Sequence, residues 1–299
     1  MPATKFICPN GRTISIEACL HRCPSCRRCM FLPTLHSIAK AANRKLPNAS
    51  VTELLSGTRE MYLKKTVDYA IDPMDQVFAL HGTAIHALQQ KLTMGNMLSE
   101  ERLTDSVTSG QFDLYGRILD DHRLILGDYK VTSSYKIMKA LGYYKVDIPT
   151  GEVYKTGLRK GHPKTRKSWR TDGVRKLFEW SVQLNYYRML LEQQGFRVEG
   201  MEIQAMCRDY SLRIAAERNI TRPIYLIPIH RISDHWLKMY METKSRRLKE
   251  ALEKRSLPAV CNARERWNDR KCKGYCPVAT FCPHGIALLQ SDQNKAIGL

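Results

Sequence analysis

The chain has 299 residues, 43% hydrophobic and 26% charged, which is enough apolar material for a core and excludes a wholly disordered chain. No apolar run approaches the roughly 18 to 20 residues of a membrane span, and the start, MPATKFICPNG, has no apolar leader, so a cytoplasmic protein is expected. Lys and Arg total 48 against 29 Asp and Glu, a formal net charge of +19 that a polyanion such as nucleic acid would relieve.

Residues 1–31 carry Cys8, Cys19, Cys23, Cys26 and Cys29. Disulfides do not persist in a reducing compartment, so these closely spaced cysteines read as a metal-binding segment. A core over residues 32–256 follows. Its first helical stretch runs from Leu32 to about Lys65, broken around Pro47, and a second helix is expected from about Pro73 to Leu92. Phe78, Leu80, Ile85 and Leu88 would supply much of that helix's apolar side. Strand character begins near Val107, and Thr108 to Ser133 reads as a hairpin around Asp120-Asp121.

Residues 136–170 read as an exposed basic insertion, with Lys155, Arg159, Lys160, Lys164, Arg166, Lys167, Trp169 and Arg170 as candidate nucleic-acid contacts. Tyr143, Tyr144 and Tyr154 interleave with them, and aromatic faces stack on bases while cations track phosphates. A helix is expected from about Arg175 to Gln194, stopped by Gly195. Next, Met201, Ile203, Ala205 and Cys207 alternate along a strand and place Cys207 in the core rather than at a metal. Another strand spans Pro223 to His230, and a charged helix runs from about Asp234 to Lys254. The C-terminal segment, 257–299, holds Cys261, Cys272, Cys276 and Cys282. No internal repeat and no long low-complexity linker is apparent.

The hairpin carries the most chemistry. With Asp120 and Asp121 central, paired positions sum to 241 and Asp113 faces Asp128. Opposed carboxylates repel, so a divalent cation, magnesium or manganese, is the natural occupant of the site. Lys130 projects from the same strand face as Asp128 and is placed to stabilise a phosphoryl transition state or position water. Asp120 is the rival acid but reads as a turn former. Gly82 and His86 sit on the preceding helix, where His86 is a candidate ligand and His81 is structural. Gln183 and Tyr187 share one face of a later helix.

In this order, Gly82-x-x-x-His86, Asp113, Asp128-Tyr129-Lys130 and Gln183-x-x-x-Tyr187 resemble the motifs of the PD-(D/E)XK nuclease superfamily. More narrowly they are similar to RecB-type exonucleases, including the CRISPR-adaptation nucleases and the nuclease domain of AddB. The resemblance covers roughly Leu80 to Tyr187, and Asp113 departs from the pattern by following Phe112 rather than Pro. It implies that His86, Asp113, Asp128 and the Tyr129 carbonyl bind metal. It also implies that Lys130 is the catalytic lysine and that Gln183 and Tyr187 orient that lysine and the nucleic-acid strand. The implied fold is α/β, a mixed central sheet flanked by helices, with the terminal cysteine segments docked together beside it.

The C-terminal cysteines read Cys-x10-Cys-x3-Cys-x5-Cys. Several RecB-like nucleases hold a [4Fe–4S] cluster by three C-terminal cysteines and one N-terminal cysteine. Here the resemblance leaves two ligand sets open: Cys261 completes a local four-cysteine site, or one of the N-terminal cysteines is the fourth ligand. The N-terminal group itself reads as a zinc site or as a donor to a shared cluster.

These readings converge on a metal-dependent deoxyribonuclease, with single-stranded DNA as favoured substrate and exonucleolytic action in recombination, DNA end processing or CRISPR adaptation. Protein partners in such a complex are an accompanying expectation. Two alternatives are a non-catalytic nucleic-acid-binding metalloprotein and an RNA-binding zinc protein. The first leaves the opposed carboxylates without a purpose, and the second leaves the hairpin unexplained.

Overall fold

The structure is a computed structural model that describes residues 3–25, 27–43, 48–92, 94–119, 122–173 and 177–297. Cys26, Pro47, Asp120, Asp121 and Arg175 lie outside the described residues.

Strands β1 (Lys5–Ile7) and β2 (Thr13–Ser15) form a short antiparallel ribbon. Ser15 caps helix α1 (Ile16–His21) by accepting from the Ala18 amide. The helical stretch expected after Leu32 divides into α2 (Leu32–Ala42), α3 (Val51–Leu55) and α4 (Thr58–Thr66). A capping box between Ser50 and Glu53 starts α3, so the chain re-initiates helix there instead of continuing one. Strand β3 (Ala70–Ile71) pairs parallel to β1.

Helix α5 (Val77–Lys91) falls where the sequence places it, and its expected apolar side is only half covered: Leu80 packs against the core and Ile85 is half-buried. None of its residues is buried, and Phe78 and Leu88 each keep 52% exposure. The helix lies on the surface, touching the sheet through β8 and packing near α2, so the side carrying His86 turns inward.

Strands β4 (Leu98–Ser99), β5 (Arg102–Thr104), β6 (Ser109–Gln111), β7 (Leu114–Gly116) and β8 (Ile125–Thr132) follow. The β7–β8 register pairs Leu114 with Gly127, Tyr115 with Leu126 and Gly116 with Ile125, the register read from the sequence. Helix α6 (Ser134–Ala140) leads into β9 (Tyr143–Val153) and β10 (Pro163–Thr171). The basic insertion is therefore a long, largely exposed antiparallel hairpin and not a loop. Its β-branched and aromatic residues satisfy the backbone by cross-strand pairing without a core of their own.

Helix α7 (Phe178–Gln193) is the central helix, with Trp180, Val182, Leu184, Tyr186, Leu190 and Leu191 buried. It ends in a Schellman motif: Gly195 takes a φ of +88° and the Phe196 amide donates to the Leu191 carbonyl. Strand β11 (Gly200–Cys207) buries Met201, Ile203, Ala205 and Cys207, as its alternation predicts. Helix α8 (Arg213–Ala216), strand β12 (Ile224–Pro228), helix α9 (Asp234–Glu253), helix α10 (Arg270–Gly274) and helix α11 (Pro283–Ile297) complete the chain.

The principal sheet has the order β12-β11-β8-β7-β4, parallel between β8 and β11 and antiparallel elsewhere. The architecture is thus mixed α/β. Strand β8 lies in the middle of that sheet, which fixes the side chains it presents. Among the described residues, no helix is long and apolar enough to cross a membrane.

Candidate functional site

The site forms where β8, the segment leading into β7, and α5 meet. Asp128 and Lys130 share one face of β8, and Lys130 Nζ donates to Asp128 Oδ1 at 2.7 Å. Asp128 Oδ2 is within 2.5 Å of the same ammonium but is buried and accepts no well-directed hydrogen bond. Burial pushes the Asp128 carboxyl up; Lys130 opposes that and Asp113 adds to it. For Lys130, burial would lower the ammonium, but Asp128 and then Asp113 outweigh it and hold its pKa above the ordinary lysine value.

Asp113, just before β7, is itself buried. Its Oδ2 accepts the Tyr129 amide at 2.7 Å, and its Oδ1 lies 3.3 Å from His86 Nδ1. The tie to Tyr129 therefore runs through its backbone N–H.

Glu100 joins them. His86 Nδ1 is 3.0 Å from Glu100 Oε1, and the ligand atoms of His86, Glu100 and Asp113 all lie within 4.8 Å of one another. The hydrogen bond to Asp113 raises the His86 pKa to about 9, against burial and with Glu100 adding. Occupancy by a cation requires His86 to lose that proton. One imidazole and the carboxylate oxygens of Glu100 and Asp113, with the buried Asp128 carboxylate beside them, form a donor set that fits magnesium or manganese.

Sequence reasoning missed Glu100. The residue takes a left-handed φ of +54° at the turn between β4 and β5. Its amide donates to the Asp113 carbonyl, and its own carbonyl accepts Gln111 Nε2 at 2.7 Å. Two adjacent acids, Glu100 and Glu101, precede a strand, and nothing in their spacing marks which one turns inward.

Gln183 and Tyr187, on α7, close the far side. Tyr187 is 4% exposed, hydrogen-bonded to the Gln183 side chain and the Gln111 backbone, and its hydroxyl is pushed up by burial and then by the nearby Asp128 and Asp113. Gly110 lets its ring approach, since a Cβ there would lie 2.4 Å from Tyr187 Cε1. Gly82 has no comparable role, because a Cβ there would meet nothing within 4 Å.

A second lysine was also missed. Lys136, on α6, sits 4.9 Å over the Trp180 ring. Its ammonium is pushed down by burial, with Glu179 opposing and Lys130 adding to the depression.

The candidate nucleic-acid residues divide. Trp169 faces Lys145 and Lys167 faces Asp147 on one side of the hairpin, while Arg166 faces Ile148 and Arg170 faces Tyr144 on the other. Lys155, Arg159 and Lys160 lie in the loop joining the strands, and Lys164 pairs with Glu152 at 2.9 Å. At the foot of the hairpin a cavity of about 490 Å³ is lined by Tyr135, Lys139, Tyr143, Lys145, Trp169 and Arg218, among others. Lys145 Nζ lies 4.8 Å over the Trp169 ring and Lys139 Nζ 4.7 Å over Tyr135.

The cysteines gather in two places. Cys261, Cys272, Cys276 and Cys282 line a small cavity of about 30 Å³ against Arg59 and Glu60 of α4. Arg59 donates to Cys282 Sγ at 3.7 Å, and burial pushes the Cys276 thiol up to about 11, with Glu60 adding. Of the open ligand sets, the geometry brings together the local one. Cys8, Cys19, Cys23 and Cys29 line a separate cavity of about 470 Å³ that shares no residue with the first. The C-terminal group packs on α4, so the two groups line separate cavities and not one shared site. Cys272 also lies within 4.8 Å of an Asp269 oxygen and a His284 nitrogen, a mixed set beside the thiolates. Cys207 is buried and donates to Asp209 at 3.3 Å, away from either group.

No protein family and no curated protein matches the chain. Among solved structures it is similar to one described as "Crystal structure of SSO0001", at 16% identity over 90% of this chain and 96% of that one, with a TM-score of 0.40.

Proposed function

We propose that the chain is a divalent-metal-dependent deoxyribonuclease of the PD-(D/E)XK, RecB-like type, acting on single-stranded DNA as an exonuclease. The observation that carries the reading is the juxtaposition of Asp113, Asp128 and Lys130 with His86 and Glu100 in a half-buried site. Charges of that density are costly in a fold unless chemistry uses them.

In this reading His86, Glu100, Asp113 and Asp128 would hold the metal, which would supply an acidified water and charge neutralisation at the phosphate. Lys130 orients the attacking water and stabilises negative charge on the phosphoryl oxygens of the transition state. Tyr187, fixed by Gln183, restricts where Asp113 and Asp128 present their oxygens. The basic hairpin and the aromatic cavity at its foot receive a single strand, with Trp169 and Tyr143 stacking on bases and Lys145 and Lys139 meeting phosphates. The cysteine group beside α4 holds a [4Fe–4S] cluster that ties the C-terminal segment to the core. DNA recombination, end processing and CRISPR adaptation are the settings that suit such an enzyme.

The deciding experiment is a cleavage assay on single-stranded DNA labelled at either end, with manganese or magnesium, comparing wild type with Lys130→Ala. Shortening from one end that disappears in the variant supports the reading and gives the polarity. Binding without cleavage by metal-loaded wild type would turn the assignment to a non-catalytic nucleic-acid-binding protein.

A further inference from the structure

The two cysteine groups are copies of one pattern. Cys8, Cys19, Cys23 and Cys29 are spaced Cys-x10-Cys-x3-Cys-x5-Cys, and Cys261, Cys272, Cys276 and Cys282 repeat that spacing. In each, the third cysteine is followed by proline, Pro24 and Pro277. Cys26 has no counterpart, since the equivalent position is Ala279. The apparent absence of an internal repeat is therefore corrected at this level: a short repeat exists, visible only when the cysteines are aligned.

The local structure repeats as well. The second cysteine of each group lies on a short helix, Cys19 on α1 and Cys272 on α10. In each the residue capping the helix immediately precedes the third cysteine and makes an equivalent bond: Arg22 N–H donates to the Ala18 carbonyl at 2.9 Å, and Tyr275 N–H to the Lys271 carbonyl at 2.8 Å. The fourth cysteine comes shortly before a longer helix in both, α2 after Cys29 and α11 after Cys282. All four cysteines of each group line one cavity.

We propose that Cys8, Cys19, Cys23 and Cys29 hold a second all-thiolate metal centre, of the same kind as the one proposed above for Cys261, Cys272, Cys276 and Cys282, on which reading this inference rests. The N-terminal segment gives this centre a physical purpose. Three-residue strands and a six-residue helix contribute few buried side chains, chiefly Phe6, Ile16 and Cys19. Those side chains join the main core and β1 pairs with β3, so the segment is held at one end, and a metal would fix the cysteine-bearing loops beyond it. The centre also ties α1 to the start of α2, whose Leu35 lines the same cavity. Because its readout is metal content, the proposal stands or falls separately from the nuclease reading.

The test uses the full chain, purified without oxygen. Iron, acid-labile sulfide and zinc per chain are measured for wild type, Cys23→Ser, Cys276→Ser and Cys26→Ser. The expected result is two centres of one composition in wild type, about half that content in Cys23→Ser and in Cys276→Ser, and no change in Cys26→Ser. Iron with sulfide, or zinc alone, identifies the shared group. Full content in Cys23→Ser, or different metals in the two groups, overturns the proposal. Should the serine variants fail to fold, alkylation of native wild type followed by mass spectrometry serves instead. All eight repeat cysteines should resist alkylation until the metal is removed. Modification of Cys8, Cys19, Cys23 and Cys29 before its removal, at the rate of Cys26, refutes a centre there.

Discussion

Lys130 Nζ lies 2.7 Å from Asp128 Oδ1, and the two side chains leave the same face of β8 two residues apart. The strand thus carries its own counter-charge, holding a buried carboxylate in place whether or not a cation is bound. Lys130→Ala should remove that counter-charge and leave Asp128 facing Asp113. We expect a loss of stability on the order of 2–3 kcal/mol, below the figure for a fully buried pair because Lys130 keeps 22% of its side chain exposed. Manganese should restore more of the melting temperature in this variant than it adds to wild type, since a cation can take the lysine's electrostatic place. Melting curves with and without manganese check this, and equal metal responses would contradict it.

Glu100 reaches the same site from a different turn. Its carboxylate meets His86 at 3.0 Å while its backbone is tied to Asp113 and Gln111. Glu100→Ala should weaken divalent-metal affinity by about 10- to 100-fold and leave the fold intact, because the backbone bonds do not need the side chain. Titration calorimetry with manganese reads the affinity, and cleavage should recover at high metal concentration. Unchanged affinity would remove Glu100 from the site.

How much of this arrangement was legible differs residue by residue. The register that sets Leu114 against Gly127 followed from counting about a turn, because strand side chains alternate with a strict period. The stop at Gly195 followed from the chemistry of a left-handed helix cap. Glu100 was not legible, since its inward direction depends on a positive φ and on hydrogen bonds to residues eleven or more positions away. The apolar side of α5 was only half legible, because periodicity marks an apolar stripe but not what covers it: Leu80 packs on the core while Phe78 and Leu88 remain exposed. The separation of the cysteine groups depends on packing against α4, which spacing alone does not encode.

Gly110 and Tyr187 give a steric test of the α7 side of the site. A methyl group at Gly110 would come within 2.4 Å of Tyr187 Cε1, and the ring is too buried to turn away freely. Gly110→Ala should destabilise the fold by roughly 1–3 kcal/mol, as overpacking does, and lower cleavage by displacing Tyr187. Tyr187→Phe separates the two effects, because it keeps the ring and removes only the hydroxyl bonded to Gln183 and Gln111. We expect Tyr187→Phe to retain most of the stability while cleaving more slowly. Denaturant midpoints and single-turnover rates distinguish these outcomes.

Glu60 links the core to the C-terminal cysteine segment and sets an acid limit on stability. Its buried carboxylate takes Lys64 at 2.7 Å and Lys271, the neighbour of Cys272, at 2.5 Å. Burial by itself would raise the carboxyl, but the two ammonium groups outweigh it and hold the pKa below the ordinary 4.5. A depressed folded value means the unfolded chain binds the proton first as pH falls. The stabilisation is therefore complete above about pH 4.5 and shrinks as pH drops through the folded value. Glu60→Gln should be less stable than wild type near neutral pH, with the difference narrowing as pH falls below about 4.5 and through the depressed folded value. Urea midpoints for both proteins across that range check the sign. If the difference is constant with pH, the ion pairs to Lys64 and Lys271 are not what joins the segment to α4.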